Sequence, residues 1–152
     1  MDQDTIRLEK SLQDEQQTVV FRLADESYGI EIFRVNEIIR LREITPVPRT
    51  ERHVKGLVNL RGKTIPVIDL RTRFALPTCE ETESSRIIVV ESESGQIGVV
   101  VDAVTEVLTL DADSIEETPV LVSDSENQFV RAVAKTNSKL ITLLDLDHAL
   151  AA

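Results

Sequence analysis

The chain has 152 residues, 41% of them hydrophobic, enough for one compact unit or two small ones with a core. Aromatics make up only 3%, with no Trp, so the core must be built from Val, Ile and Leu, and the chain lacks platforms for stacked bases. The net charge of −10 opposes non-specific binding to nucleic acid or to an anionic membrane surface.

Residues 1–16 are mostly polar. Ile6, Leu8 and Leu12 are too few to define a core face, and this stretch reads as a flexible tail. From Thr18 to Leu23, Val19, Phe21 and Leu23 alternate with Val20 and Arg22, the period of a strand. Asp25 to Ser27 turns the chain, and Tyr28, Ile30 and Ile32 alternate into a second strand. Val35, Ile38 and Ile39 then fit one or two helical turns. Pro46 and Pro48 fix an extended elbow, and Thr50 can cap a short helix over 51–55 that Gly56 ends.

Residues 54–70, VKGLVNLRGKTIPVIDL, predict a hairpin with apolar residues on both faces, as in strands covered on both sides. Arg61-Gly62-Lys63 makes the bend, with Gly62 free to take positive φ. Pro66 cannot donate a ladder hydrogen bond, so its strand is expected to be an edge or to bulge there. Asp69 suits the N-cap of a short helix reaching Phe74. By themselves Asn59, Arg61 and Lys63 read as a solvated rim; a contact surface is the alternative.

Residues 78–85 form a polar linker containing Cys79, the one cysteine, which points to a reducing compartment. Strands follow at Arg86–Glu91 and Gln96–Val101. Residues 103–110 suit a short helix or a bent strand, 111–128 a long acidic loop, and Phe129–Leu144 a last hairpin. Asp145 can cap a terminal helix. No apolar run approaches membrane-spanning length and no signal-peptide pattern opens the chain, so a cytoplasmic protein without direct membrane insertion is expected.

The halves repeat. At an offset of 69 residues, YGIEIFRVNEIIRL (28–41) lies over IGVVVDAVTEVLTL (97–110); at 76, KTIPVIDLRTRF (63–74) lies over KLITLLDLDHAL (139–150). Gly29 falls on Gly98, Glu37 on Glu106, Val67 on Leu143, and Asp69 on Asp145. A mostly β fold is implied: two five-stranded barrels, over 17–77 and 86–150, around a shared apolar interface. Whether each opening strand stays in its own barrel is left open by the sequence. A groove between barrels would suit an apolar helix.

No Gly-rich phosphate loop is present, and His53 and His148 have no metal-ligand spacing. No cofactor, metal or catalytic residue is expected, and a binding module fits better than an enzyme. Residues 1–76 carry 13 basic and 12 acidic side chains, while 77–152 carry 4 and 15. That asymmetry suits an acidic partner or a head-to-tail contact, or is simply a mixed-charge surface.

At NLRG (59–62), followed by a strand and DLR (69–71), the chain resembles CheW, the coupling-protein family of bacterial chemotaxis. VNEII (35–39), VKGLVNLRG (54–62), IPVIDLR (65–71) and GVVVDAVTEVL (98–108) carry the resemblance over about residues 17–150. It implies two SH3-like barrels and a non-enzymatic adaptor between chemoreceptors and the histidine kinase CheA. Its expected partners are the receptor's cytoplasmic hairpin tip, the CheA regulatory domain and other CheW copies in rings. Carried over by motif, Glu37 and Arg61 are expected to pair beside the receptor groove, with Val35 and Val107 as apolar contacts. Asn59, Gly62 and Gly98, within the same motifs, complete the expected contact set. The alternatives are an adaptor of a chemosensory-type pathway with a non-motility output, and a small-ligand-binding paired barrel.

Overall fold

The computed structural model describes residues 5–7, 17–77, 80–117, 129–136 and 139–150. Among the described residues, twelve strands form two sheets. The first contains β1 (Thr5–Arg7), β4 (Val35–Arg40), β7 (Arg86–Ser92), β8 (Gly95–Val101), β6 (Lys63–Asp69) and β5 (Val54–Leu60), in that order. The second contains β10 (Ile115–Glu117), β11 (Val130–Thr136), β12 (Lys139–Leu144), β3 (Glu26–Glu31), β2 (Gln17–Leu23) and β9 (Ala103–Thr109). Two short helices, α1 (Leu70–Arg73) and α2 (Leu146–Leu150), follow β6 and β12.

The sequence repeat is a repeat of register. Parallel β6–β8 pairs Val67 with Gly98, and parallel β12–β3 pairs Leu143 with Gly29. Antiparallel β4–β7 pairs Ile38 with Ile88, and β9–β2 pairs Val107 with Val19. Even the irregularities recur. A bulge at Asn36 in β4 matches one at Thr105 in β9, and a bulge at Lys55 in β5 matches one at Arg131 in β11. The glycines recur for one reason. A Cβ at Gly98 would sit 2.7 Å from Ile87 Cγ2, and one at Gly29 would sit 2.6 Å from Thr18 Cγ2, the equivalent position.

The strands are exchanged between the halves. Hairpin β2–β3 belongs to the sheet made otherwise from the second half, and hairpin β7–β8 to the sheet made otherwise from the first. Each sheet therefore closes only when both halves are present. One face of each sheet wraps its own small core: Ile39, Val58, Leu60, Ile65, Val67, Ile87 and Val89 in the first, and Val20, Leu110, Ala132, Ala134, Ile141 and Leu143 in the second. The other faces meet in one shared core that includes Phe21, Ile30, Val35, Ile68, Ile88 and Val99. Fully burying a side chain such as Phe21 or Ile88 contributes about 1.5–3 kcal/mol.

Several local expectations change. Residues 35–39 are strand, not helix. The bulge adds one residue, so Val35 and Ile38 share a face three positions apart and imitate helical spacing. The same device makes 103–109 a bulged strand. Residues 51–53 form a turn instead of a helix, and strand begins at Val54. Pro66 lies in an interior strand, tolerated because the ladder to β8 begins only at Val67. Within the expected tail, residues 5–7 form an edge strand on β4; three residues are too few to show a period. Residues 1–4 and 8–16 lie outside the described residues, as do Cys79 and most of the acidic loop, 118–128. The loop's beginning, 112–117, is a 3₁₀ turn and strand β10.

Candidate functional site

The β5–β6 hairpin turns on two residues, Arg61 (φ 52°) and Gly62 (φ 83°), both left-handed as a two-residue hairpin requires. Asn59 stabilises this turn: its Oδ1 accepts the Gly62 N–H at 3.0 Å. Open space surrounds the missing Cβ of Gly62, so its backbone angle, not crowding, calls for glycine there. The turn aims Arg61 back across the sheet, where its Nη2 donates to Oε1 of Glu37.

Glu37 follows the bulge of β4, and its side chain is only 6% exposed, against 45% for Arg61. A buried carboxylate is costly unless paired, and Arg61 supplies the charge partner. Glu37 Oε2 has no hydrogen-bond partner among the described residues. The pair is thus an anchored carboxylate beneath a guanidinium at the surface.

The other expected contact residues separate. Val35 is fully buried in the shared core and offers no surface to a partner, a correction to its role as a groove contact. Burial follows from its position before the bulge, which turns it inward opposite Val90. Gly98 is buried where β8 passes β7 and shapes the sheet without lining a surface. Val107 is 43% exposed on β9, an edge strand of the second sheet. Beside it, Lys139 Nζ lies 2.7 Å from Glu106 Oε2, so the second barrel carries its own carboxylate–cation pair at the position equivalent to Glu37.

The sequence reading passed over two arginine clamps that hold the sheets together. Arg71, the first residue of α1 after its N-terminal Leu70, donates from Nε to Asp102 Oδ1 at 2.9 Å and from Nη2 to Oδ2 at 2.6 Å. Asp102 Oδ2 also accepts the Ala24 N–H at 2.8 Å, and Arg71 Nη1 donates to Pro77 O at 2.6 Å. The Arg71 hydrogen bonds hold the Asp102 carboxyl below the usual carboxylate range, against the opposing effect of burial. The repeat places Asp147 where Arg71 stands, and Asp147 pairs with Arg34 at 2.8 Å, one position past Phe33, the counterpart of Asp102. The available signal was the DLR of 69–71 answered by DLD at 145–147. Arg73 spans the same junction, donating to Ala149 O at 3.0 Å, with its guanidinium 4.8 Å from the Phe129 ring centroid.

Asp69 and Asp145 both cap helices, accepting the N–H of Arg71 at 3.0 Å and of His148 at 3.2 Å. Next to α1, His53 is buried; desolvation first and Arg73 second lower its pKa. Among the described residues, no group of His, Cys, Asp and Glu converges as a metal site, and no helix is long and apolar enough to cross a membrane.

A family model described as CheW-like domain matches residues 17–152. The chemotaxis protein CheW of Rhizobium meliloti (strain 1021) is 35% identical over 129 residues, 85% of this chain and 83% of the relative. That of Bacillus subtilis (strain 168) is 32% identical over 87% of this chain and 85% of its own length. The crystal structure of the scaffolding protein TtCheW from Thermoanaerobacter tengcongensis superposes with a TM-score of 0.84 at 41% identity, covering 91% of this chain and 94% of the other.

Proposed function

The chain belongs to the CheW-like family, and from that footing we propose that it grips a chemoreceptor at the Glu37–Arg61 pair. Its fold is the paired SH3-like one expected, and it is a chemotaxis coupling adaptor, a scaffold and not an enzyme. The family couples chemoreceptors to CheA.

The observation that carries the proposed contact is the buried, half-satisfied Glu37 beneath an exposed Arg61. The pair sets the hairpin tip against β4 and presents a positioned guanidinium, suited to polar groups on a receptor helix. Val107 supplies an exposed apolar anchor on the second barrel. The basic stretch 34–73 and the acidic second half suit a head-to-tail contact with the like-folded regulatory domain of CheA, and with further copies in a ring. In this reading the protein works in the cytoplasm and reaches the membrane only through its receptor.

A pull-down with a receptor cytoplasmic fragment and CheA tests this. The native chain forms the ternary complex; Arg61→Ala and Val107→Asp, each verified as folded, lose the receptor and retain the kinase. Normal receptor capture by both variants would remove these residues from the contact.

A further inference from the structure

The first sheet shows what covers the outer edge of its last repeated strand. β1 lies antiparallel on β4, pairing Thr5 with Ile39, Ile6 with Ile38 and Arg7 with Glu37. Among the described residues this pairing runs up to Glu37, next to the bulge at Asn36. In the second sheet β9 is the repeat of β4, with the same register on its inner neighbour and the same bulge, here at Thr105. Its three equivalent positions are Glu106, Val107 and Leu108. Among the described residues no strand pairs with this edge. Val107 is 43% exposed where its counterpart Ile38 is 5% exposed.

The edge has few of the devices that protect such strands. AVTEVLT contains no Pro and no Lys, and its one charge is Glu106; four of its seven residues are β-branched. An open edge of this composition offers unpaired backbone groups to an incoming strand.

We infer that residues 106–108 form a seat for one extended segment of a partner protein, patterned polar–apolar–basic like Thr5–Arg7. The apolar residue stands opposite Val107 and the basic residue opposite Glu106, as Ile6 and Arg7 stand opposite Ile38 and Glu37. The repeat supplies both the register and the antiparallel direction, as β1 lies antiparallel on β4. This mode is main-chain pairing along an edge, distinct from a helix laid in a groove.

The probe is a synthetic peptide of residues 1–10, MDQDTIRLEK, added to the full-length chain and followed by amide hydrogen exchange. Slowed exchange at 106–108, unchanged exchange at 37–39, and loss of the effect with Val107→Lys or with an Ile6→Asp peptide are expected. Slowing at 37–39 alone would mean the peptide only exchanges with β1, and would overturn the inference. So would no slowing at 106–108, slowing that the Ile6→Asp peptide reproduces, or protection of 106–108 that appears without peptide as protein concentration rises.

Discussion

Glu37 and Glu106 occupy one position of a duplicated strand, each immediately after a β-bulge and each paired with a cation from a neighbouring hairpin. Their surroundings differ. Glu37 is 6% exposed and held by Arg61; Glu106 is 35% exposed and held by Lys139. The first pair therefore bears on stability, whereas the second is a surface pair worth about 0–1 kcal/mol.

Arg61→Ala strips a buried carboxylate of its charge partner and lowers stability by about 1–3 kcal/mol in urea unfolding. Glu37→Gln, which keeps the shape and removes the charge, costs less. Adding Glu37→Gln to Arg61→Ala restores part of the loss. Equal melting temperatures for Arg61→Ala and the native chain would show that Glu37 finds another partner.

Val35→Asp and Val107→Asp separate core from surface. Placing a carboxylate at fully buried Val35 prevents folding or costs more than about 4 kcal/mol. At Val107, 43% exposed on an edge strand, the same change leaves the melting temperature within a few degrees. Only Val107 can then report on partner binding, and a folded Val35→Asp would contradict the packing described above.

The Arg71–Asp102 clamp predicts acid sensitivity. The Asp102 pKa is lowered in the fold, chiefly by the Arg71 hydrogen bonds. The unfolded chain, with an ordinary value of about 3.9, binds the proton first as pH falls. The clamp's contribution is thus complete above about pH 4 and is lost as pH falls through the depressed folded value. Asp102→Asn removes this part of the acid limb and costs about 1–3 kcal/mol at neutral pH. An unchanged stability–pH curve for the variant would count against the clamp.

His53 adds a second, milder dependence. Its pKa is lowered by burial and by Arg73, so the neutral ring suits the folded state. Stability is full above the unfolded value, about 6.5, and declines as pH falls from there toward the lowered folded value. His53→Gln flattens the curve across that window; a curve that stays equally steep would assign the dependence to other groups.

Much of this molecule is legible in its sequence. Alternation of Val, Ile and Leu predicts the strands, Gly62 the central turn, and Asp69 and Asp145 the helix starts. The offsets of 69 and 76 residues predict a pseudo-symmetric pair, because equivalent local patterns fold into equivalent local structure. What the sequence misread, it misread for a physical cause: a bulge puts Val35 and Ile38 on one face of a strand at the spacing of a helix. Partner choice was decided by the tertiary structure alone. Periodicity records which way a side chain points, not which strand lies beside it, so the exchange of β2–β3 and β7–β8 between sheets could not be read from either half. The same limit explains why Val35 and Val107, both apolar positions in the repeated segment, ended on opposite sides of the surface. Beside Val35 lies the shared core; beside Val107, among the described residues, no further strand is paired.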